Sequence, residues 1–289
     1  MKARVTSVLA AAAAVGVALA GCSASPAGTA APAGQSASSS APGRHVHGVA
    51  ATADGTRVLV GTHEGVYDMS GDKPERISIP HDFMGFVGDP QGTLWASGHP
   101  GAGTSKPNPL GLLRSTDGGQ TWATVSNEGV SDFHALAVTK SGLVGFDGKL
   151  KRTATGDAWT TVSSAIHPAV LAGHATTDTV LATTEKGLFA SPDGGGTWSA
   201  VPGAPVIQFA AFADAQRAVG ITPDGKVYAS ADAGLSWTPV GTVSGGVDAL
   251  TAAAPEANSP VRVWVATEEG LRESTDGGVT FAAYTPRKP

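Results

Sequence analysis

A twelve-residue segment recurs along this chain, and that recurrence limits the possible folds more than any other feature. Gly111-Leu-Leu-Arg-Ser-Thr-Asp-Gly-Gly-Gln-Thr-Trp122, Gly187-Leu-Phe-Ala-Ser-Pro-Asp-Gly-Gly-Gly-Thr-Trp198 and Gly270-Leu-Arg-Glu-Ser-Thr-Asp-Gly-Gly-Val-Thr-Phe281 are near copies. Lys226-Val-Tyr-Ala-Ser-Ala-Asp-Ala-Gly-Leu-Ser-Trp237 keeps the pattern, the stretch from Gly148 to Trp159 keeps it with one residue fewer, and Gly65-Val-Tyr-Asp-Met begins it. The matching glycines, Gly65, Gly111, Gly148, Gly187, Gly225 and Gly270, lie 37 to 46 residues apart by subtraction. Each unit also has two earlier β-like runs, such as residues 169–172 and 179–183 in the fourth, and a short last strand such as Ser199-Ala-Val201. Four short strands in roughly 40 residues make a blade of a β-propeller. The repeats therefore predict an all-β chain with one β-propeller domain over residues 44–289, built of six four-stranded blades, with seven as the alternative count. A solenoid is the other repeat architecture, but neither end shows a polar capping repeat.

Composition removes several function classes. With 19 Lys+Arg against 24 Asp+Glu the formal net charge is −5, and no basic stripe marks a nucleic-acid surface. One cysteine cannot make an intramolecular disulfide or a cysteine-cluster metal site. The fold must hold by core packing, and a monomer is expected.

The N-terminus reads as an address. Lys2 and Arg4 precede an uncharged, largely apolar run over residues 5–20, then Leu19-Ala20-Gly21-Cys22. This is the layout of a secretory signal, too short for a membrane span. The four residues ending in Cys22 resemble the bacterial lipobox, which implies cleavage after residue 21 and lipidation of Cys22. Residues 23–43 are almost entirely Ala, Ser, Gly, Pro and Thr without charge, the composition of a flexible tether. The domain is thus expected outside the cell, lipid-anchored to the bacterial cell membrane.

The repeated turn, Ser-x-Asp-x-Gly-x-Thr-Trp, resembles the Asp box of the BNR repeat proteins, among them sialidases, sortilin-type receptors, some glycoside hydrolases and a photosystem assembly-factor family. Asp117, Asp193, Asp232 and Asp276 can accept hydrogen bonds from turn amides, and the following glycines can take positive φ. These aspartates read as staples of the fold. The resemblance places their turns on the face opposite the binding site.

Aligning the blades puts chemistry-bearing residues on that other rim. His45 and His47 start the first inner strand, Asp82 and Met84 the second, and Asp132 and His134 the third. The loops joining second and third strands hold His63, with Glu64 beside it, and His99. These groups are expected to converge, and His47, His99 and His134 within ligand distance of one point would favour a metal. All eight histidines fall between His45 and His174, although later blades repeat the same strands. His47, His63, Met84, His99 and His134 suit a transition metal, with imidazole favouring Zn, Cu or Ni and the thioether favouring Cu. Solvated histidines lining a wet channel, and acid–base catalysis, are the other readings of the same residues. A long loop between His99 and Gly111 adds Lys106 and Asn108, which with His45 and Glu64 could contact a ligand.

The set His45-Val-His47-Gly48, Gly61-Thr-His-Glu-Gly65, Asp82-Phe-Met-Gly-Phe86, Ser97-Gly-His-Pro100 and Ser131-Asp-Phe-His134 is similar to a family of bacterial surface lipoproteins that carry the label glycosyl hydrolase or exo-α-sialidase. The resemblance implies action on extracellular glycans. A sialidase clasps its substrate carboxylate with three arginines and uses a Tyr nucleophile. Here Arg114, Arg152 and Arg272 fall on the strand before the Asp box, away from the channel. Another glycosidase would need two carboxylates, and Asp82 and Asp132 are the pair the sequence offers. A protein-interaction platform using the rim loops is the third reading.

Overall fold

A computed structural model describes residues 45–163 and 165–287. The signal, Cys22 and the tether lie outside the described residues. Six four-stranded antiparallel sheets follow one another along the chain, and in each the strands pair in sequence order. Their first strands are Val46–Ala51, Asp82–Gly88, Ala135–Thr139, Val170–Ala172, Phe209–Phe212 and Val247–Ala253. Each first strand contacts that of the next sheet, and the sixth contacts the first, so they close a ring of six blades. The count is six rather than seven.

Burial follows distance from that ring. Second strands such as Val58–Thr62 and Arg262–Thr267 are buried along their whole length, because each is sandwiched between neighbouring blades. Outermost strands such as Glu75–Arg76, Ser199–Ala200 and Ala282–Ala283 are exposed. The apolar core divides into six clusters, each joining adjacent blades, for example Leu59 and Val66 with Phe86 and Leu94.

Among the described residues no strand is exchanged to close the ring; side chains do it. Val58, Val60 and Tyr67 of the first blade pack on Trp264 and Ala266 of the sixth. Arg262, on the sixth blade, donates to the backbone carbonyl of Asp54 on the first, pairs with Glu273, and lies 4.6 Å over the Trp264 ring.

The four Asp boxes repeat one hydrogen-bond pattern in the turn between third and fourth strands. In the second blade Ser115 donates to Asp117 at 2.8 Å, the Gly119 amide donates to Ser115 Oγ at 2.9 Å, and the Thr121 amide donates to Asp117 at 3.0 Å. Trp122 Nε1–H then donates to the Gly119 carbonyl at 3.0 Å, which fixes the indole against Phe83 and Phe86. Asp193, Asp232 and Asp276 take the same partners in their own blades. In the third blade Thr153 replaces the serine, accepting from the Gly156 amide at 2.9 Å.

Hydroxyl bonds from Thr121, Ser236 and Thr280, joined by backbone amides, hold Asp117, Asp232 and Asp276 down to about 2, and the Thr197 amide lowers Asp193. Since each folded value lies below the unfolded 3.8, the boxes stabilise the fold fully above that pH. Their contribution is lost as pH falls from about 4 towards 2. Denaturant midpoints should therefore hold through mildly acidic buffers and drop below about pH 4, and a quadruple Asp→Asn variant should flatten that drop.

Candidate metal centre at the propeller rim

One backbone device repeats at the head of the inner strands. Pairing of the first and second strands skips a residue between Val46 and Gly48, between Phe83 and Gly85, and between Val247 and Ala249, so His47, Met84 and Asp248 are β-bulge residues. In the other blades the amides of His134, Ala169 and Gln208 donate to the carbonyls of Phe146, Thr183 and Ile221, which pair with the next residues, Ala135, Val170 and Phe209. His47, Met84, His134, Ala169, Gln208 and Asp248 are thus one position seen six times around the channel mouth. Bulges re-aim side chains and recur beside functional sites. His47, His134 and Asp248 line one end of a channel of about 690 Å³ whose walls are rich in alanine.

Two compact donor sets occupy this rim. In the first, His63 Nδ1 is 3.0 Å and His47 Nε2 is 3.7 Å from Asp82 Oδ1, and His47 Nε2 is 3.3 Å from both ring nitrogens of His63. In the second, His134 Nε2 is 2.6 Å and His99 Nε2 is 3.2 Å from Asp132 Oδ2. Within each set the three donor atoms lie within 4.8 Å of one another. His47, His99 and His134 therefore do not share one point, and the donors divide between two sets instead. His47 belongs with His63 and Asp82 in the cleft between blades one and two, while His99 and His134 flank Asp132 in the next cleft.

Local backbone explains the closeness. Gly98 adopts φ 144°, and a Cβ there would overlap the Asp82 carbonyl oxygen, so glycine lets the end of the second strand lie against the first. His99 follows directly, and the long loop returns to brace it. Asn108 Oδ1 stands 2.7 Å from His99 Nδ1, leaving His99 Nε2 to face Asp132. Asn108 thus orients a donor, as hydrogen-bond partners behind metal-binding histidines do.

The electrostatics leave the donors available. Burial, reinforced by His63, holds His47 down to about 4, so its imidazole is neutral at neutral pH with a lone pair to offer. Asp82 Oδ1 and Asp132 Oδ1 are both buried without a hydrogen bond; His63 comes near Asp82 Oδ1 but not along the direction a hydrogen bond requires. Burying an unpaired carboxylate oxygen is costly unless a cation or donor satisfies it.

The remaining candidates are placed differently. His45 meets the His63 ring edge-on at 5.6 Å, beside the first set. Glu64 accepts from the Tyr67 hydroxyl at 3.3 Å, and Lys106 is engaged by Glu128 at 3.0 Å and Thr124 at 3.1 Å. Arg114 lies over Trp95, Arg152 donates to the Asp193 carbonyl of the next blade, and Arg272 pairs with Glu269, so the three have separate partners and form no shared clasp. The sequence reading missed Asp248. Burial, then Glu268, pushes its carboxyl up, with His45 acting against them. Its signal was the bulge position, which Gly246-Val-Asp248 shares with His45-Val-His47.

Residues 113–124 match the model of the BNR/Asp-box repeat. Among solved structures, an ancestral GH74 enzyme is similar with a TM-score of 0.53 at 17% identity, over 80% of this chain and 36% of that one. YCF48 bound to D1 peptide is similar at TM-score 0.52 and 13% identity, over 80% and 78% of the two chains. YCF48 from Cyanidioschyzon merolae gives 0.51 at 13%, over 80% and 95%. The chain spans about a third of the GH74 enzyme's length. No curated protein sequence matches it. At these identities the likeness is one of fold: the chain is a six-bladed Asp-box β-propeller.

Proposed function

We propose that this propeller is an extracytoplasmic transition-metal-binding protein whose two rim sets, His47/His63/Asp82 and His99/Asp132/His134, each take one ion. The observation that carries this reading is the clustering of three donors within 4.8 Å twice over, at related positions of neighbouring blades. The buried Asp82 Oδ1 without a hydrogen bond supports it in the first set, since it is the oxygen that faces His47 and His63 and a cation there would satisfy it. Imidazole with carboxylate suits Zn or Cu, and three protein donors leave a coordination position for an exchanging ligand. The head of the chain, with Lys2, Arg4 and the lipobox-like Leu19-Ala20-Gly21-Cys22, supports attachment to the outer face of a cell membrane by lipid on Cys22.

Metal titration of the full chain tests the reading, beside a variant carrying His47→Ala and His134→Ala. Two equivalents of Zn(II) or Cu(II) are expected, with binding lost in the variant at the same ion concentrations. Failure of the intact chain to bind either ion would end the metal reading. Glycan binding or cleavage that depends on Asp82 and Asp132 would then return the hydrolase reading to the front.

A further inference from the structure

The two sets are not chemically alike, and the ring of bulges shows why. The first set draws one residue from each of three positions: the turn between second and third strands (His63), the bulge of the same blade (His47), and the head of the next blade's inner strand (Asp82). One blade further on the same positions hold His99, Met84 and Asp132. The bulge position that His47 fills in the first blade is thus filled by Met84 in the second, and His134 adds a further imidazole to the second set.

Several features set Met84 apart from a packing residue. Met69 packs against the core between blades six and one, whereas Met84 belongs to none of the six clusters among the described residues. It is half-buried, and its backbone is packed against Gly98, the residue before His99. It also lies between His47 and His134 in the ring of bulge positions.

Thioether sulfur is a soft donor that selects Cu(I) over harder divalent ions, whereas imidazole and carboxylate alone serve Zn(II) or Cu(II). From this substitution of sulfur for nitrogen at one repeated position, we infer that the second cleft is a copper site able to hold the cuprous ion, with Met84 as its soft ligand beside His99, His134 and Asp132. The first cleft, which has no thioether, serves Zn(II) or Cu(II) but not the cuprous ion, while the second accepts these ions as well. This rests on the metal reading above and adds the identity and oxidation state of one ion.

The test is an anaerobic competition for Cu(I) between the full chain and a coloured cuprous chelator, with Zn(II) titration alongside, on the wild type and Met84→Leu. Leucine nearly conserves volume, and retained Zn(II) binding reports an intact fold. The expected result is a tenfold or greater loss of Cu(I) affinity in Met84→Leu with unchanged Zn(II) affinity, and a sulfur neighbour in the copper X-ray absorption spectrum that the variant lacks. Equal Cu(I) affinity in both proteins, or a copper spectrum without sulfur, overturns the inference. Zn(II) uptake without Cu(I) uptake overturns it alone and leaves the metal reading standing. Uptake of neither ion overturns both.

Discussion

Replacing Trp264 with alanine is expected to destabilise the propeller by about 3–5 kcal/mol, the usual cost of deleting a fully buried large aromatic. The indole is 0% exposed, at the seam where the sixth blade meets the first, and its neighbours include Val58 and Val60 from the opposite end of the described chain. Its Nε1–H has no hydrogen-bond partner, so the loss is one of packing and not of a polar contact. The guanidinium of Arg262 lies over the ring and is tied to Glu273 and to the Asp54 carbonyl, so removing the indole also takes away the surface that guanidinium rests on. Because no strand crosses the seam among the described residues, no backbone ladder compensates. Domains of this kind are stable by only about 5–15 kcal/mol, so the change should be plain in a denaturant midpoint at unchanged slope. A loss below about 1 kcal/mol, the size of a typical surface effect, would mean the ring does not depend on this contact.

Removing one donor from a set should abolish one ion and spare the other. His63→Ala is expected to reduce the stoichiometry from two to one, with the affinity at the damaged set falling by more than the roughly 10–100-fold that losing an outer hydrogen-bond partner costs. Asn108→Ala is such an outer loss, because the amide touches His99 and not the ion site. It should weaken the second set alone, by about 10–100-fold, and leave the first unchanged. Linked stabilisation supplies an independent readout, since an ion at 100 times its Kd adds about 2.7 kcal/mol per site. The wild type should gain twice what His63→Ala gains at saturating Zn(II). Equal gains for the two proteins would show that His63 binds nothing.

The parts of this molecule that were legible in its sequence are those that repeat. The Gly-to-Trp segment marked the turn between third and fourth strands because its hydrogen bonds are local, none spanning more than four residues. Blade count followed from spacing. Alignment of the blades placed His47, Asp82, His99 and Asp132 on one rim, but could not say which residues share a cleft. That depends on contacts across neighbouring blades and on the bulges at His47 and Met84, which shift the register by one residue. The loop after His99 breaks the period, so its return was invisible; Asn108 comes back onto His99 while Lys106 turns outward to Glu128. Asp248 escaped notice because no histidine accompanies it in its own blade, although it stands in the same ring.

The most direct measurement is anomalous diffraction from the chain crystallised with Zn(II), collected on either side of the zinc absorption edge. Two peaks are expected on the rim, one among His47, His63 and Asp82 and the other among His99, Asp132 and His134. Peaks confined to the Asp-box face, or none on the rim at millimolar zinc, would contradict metal binding by these two sets.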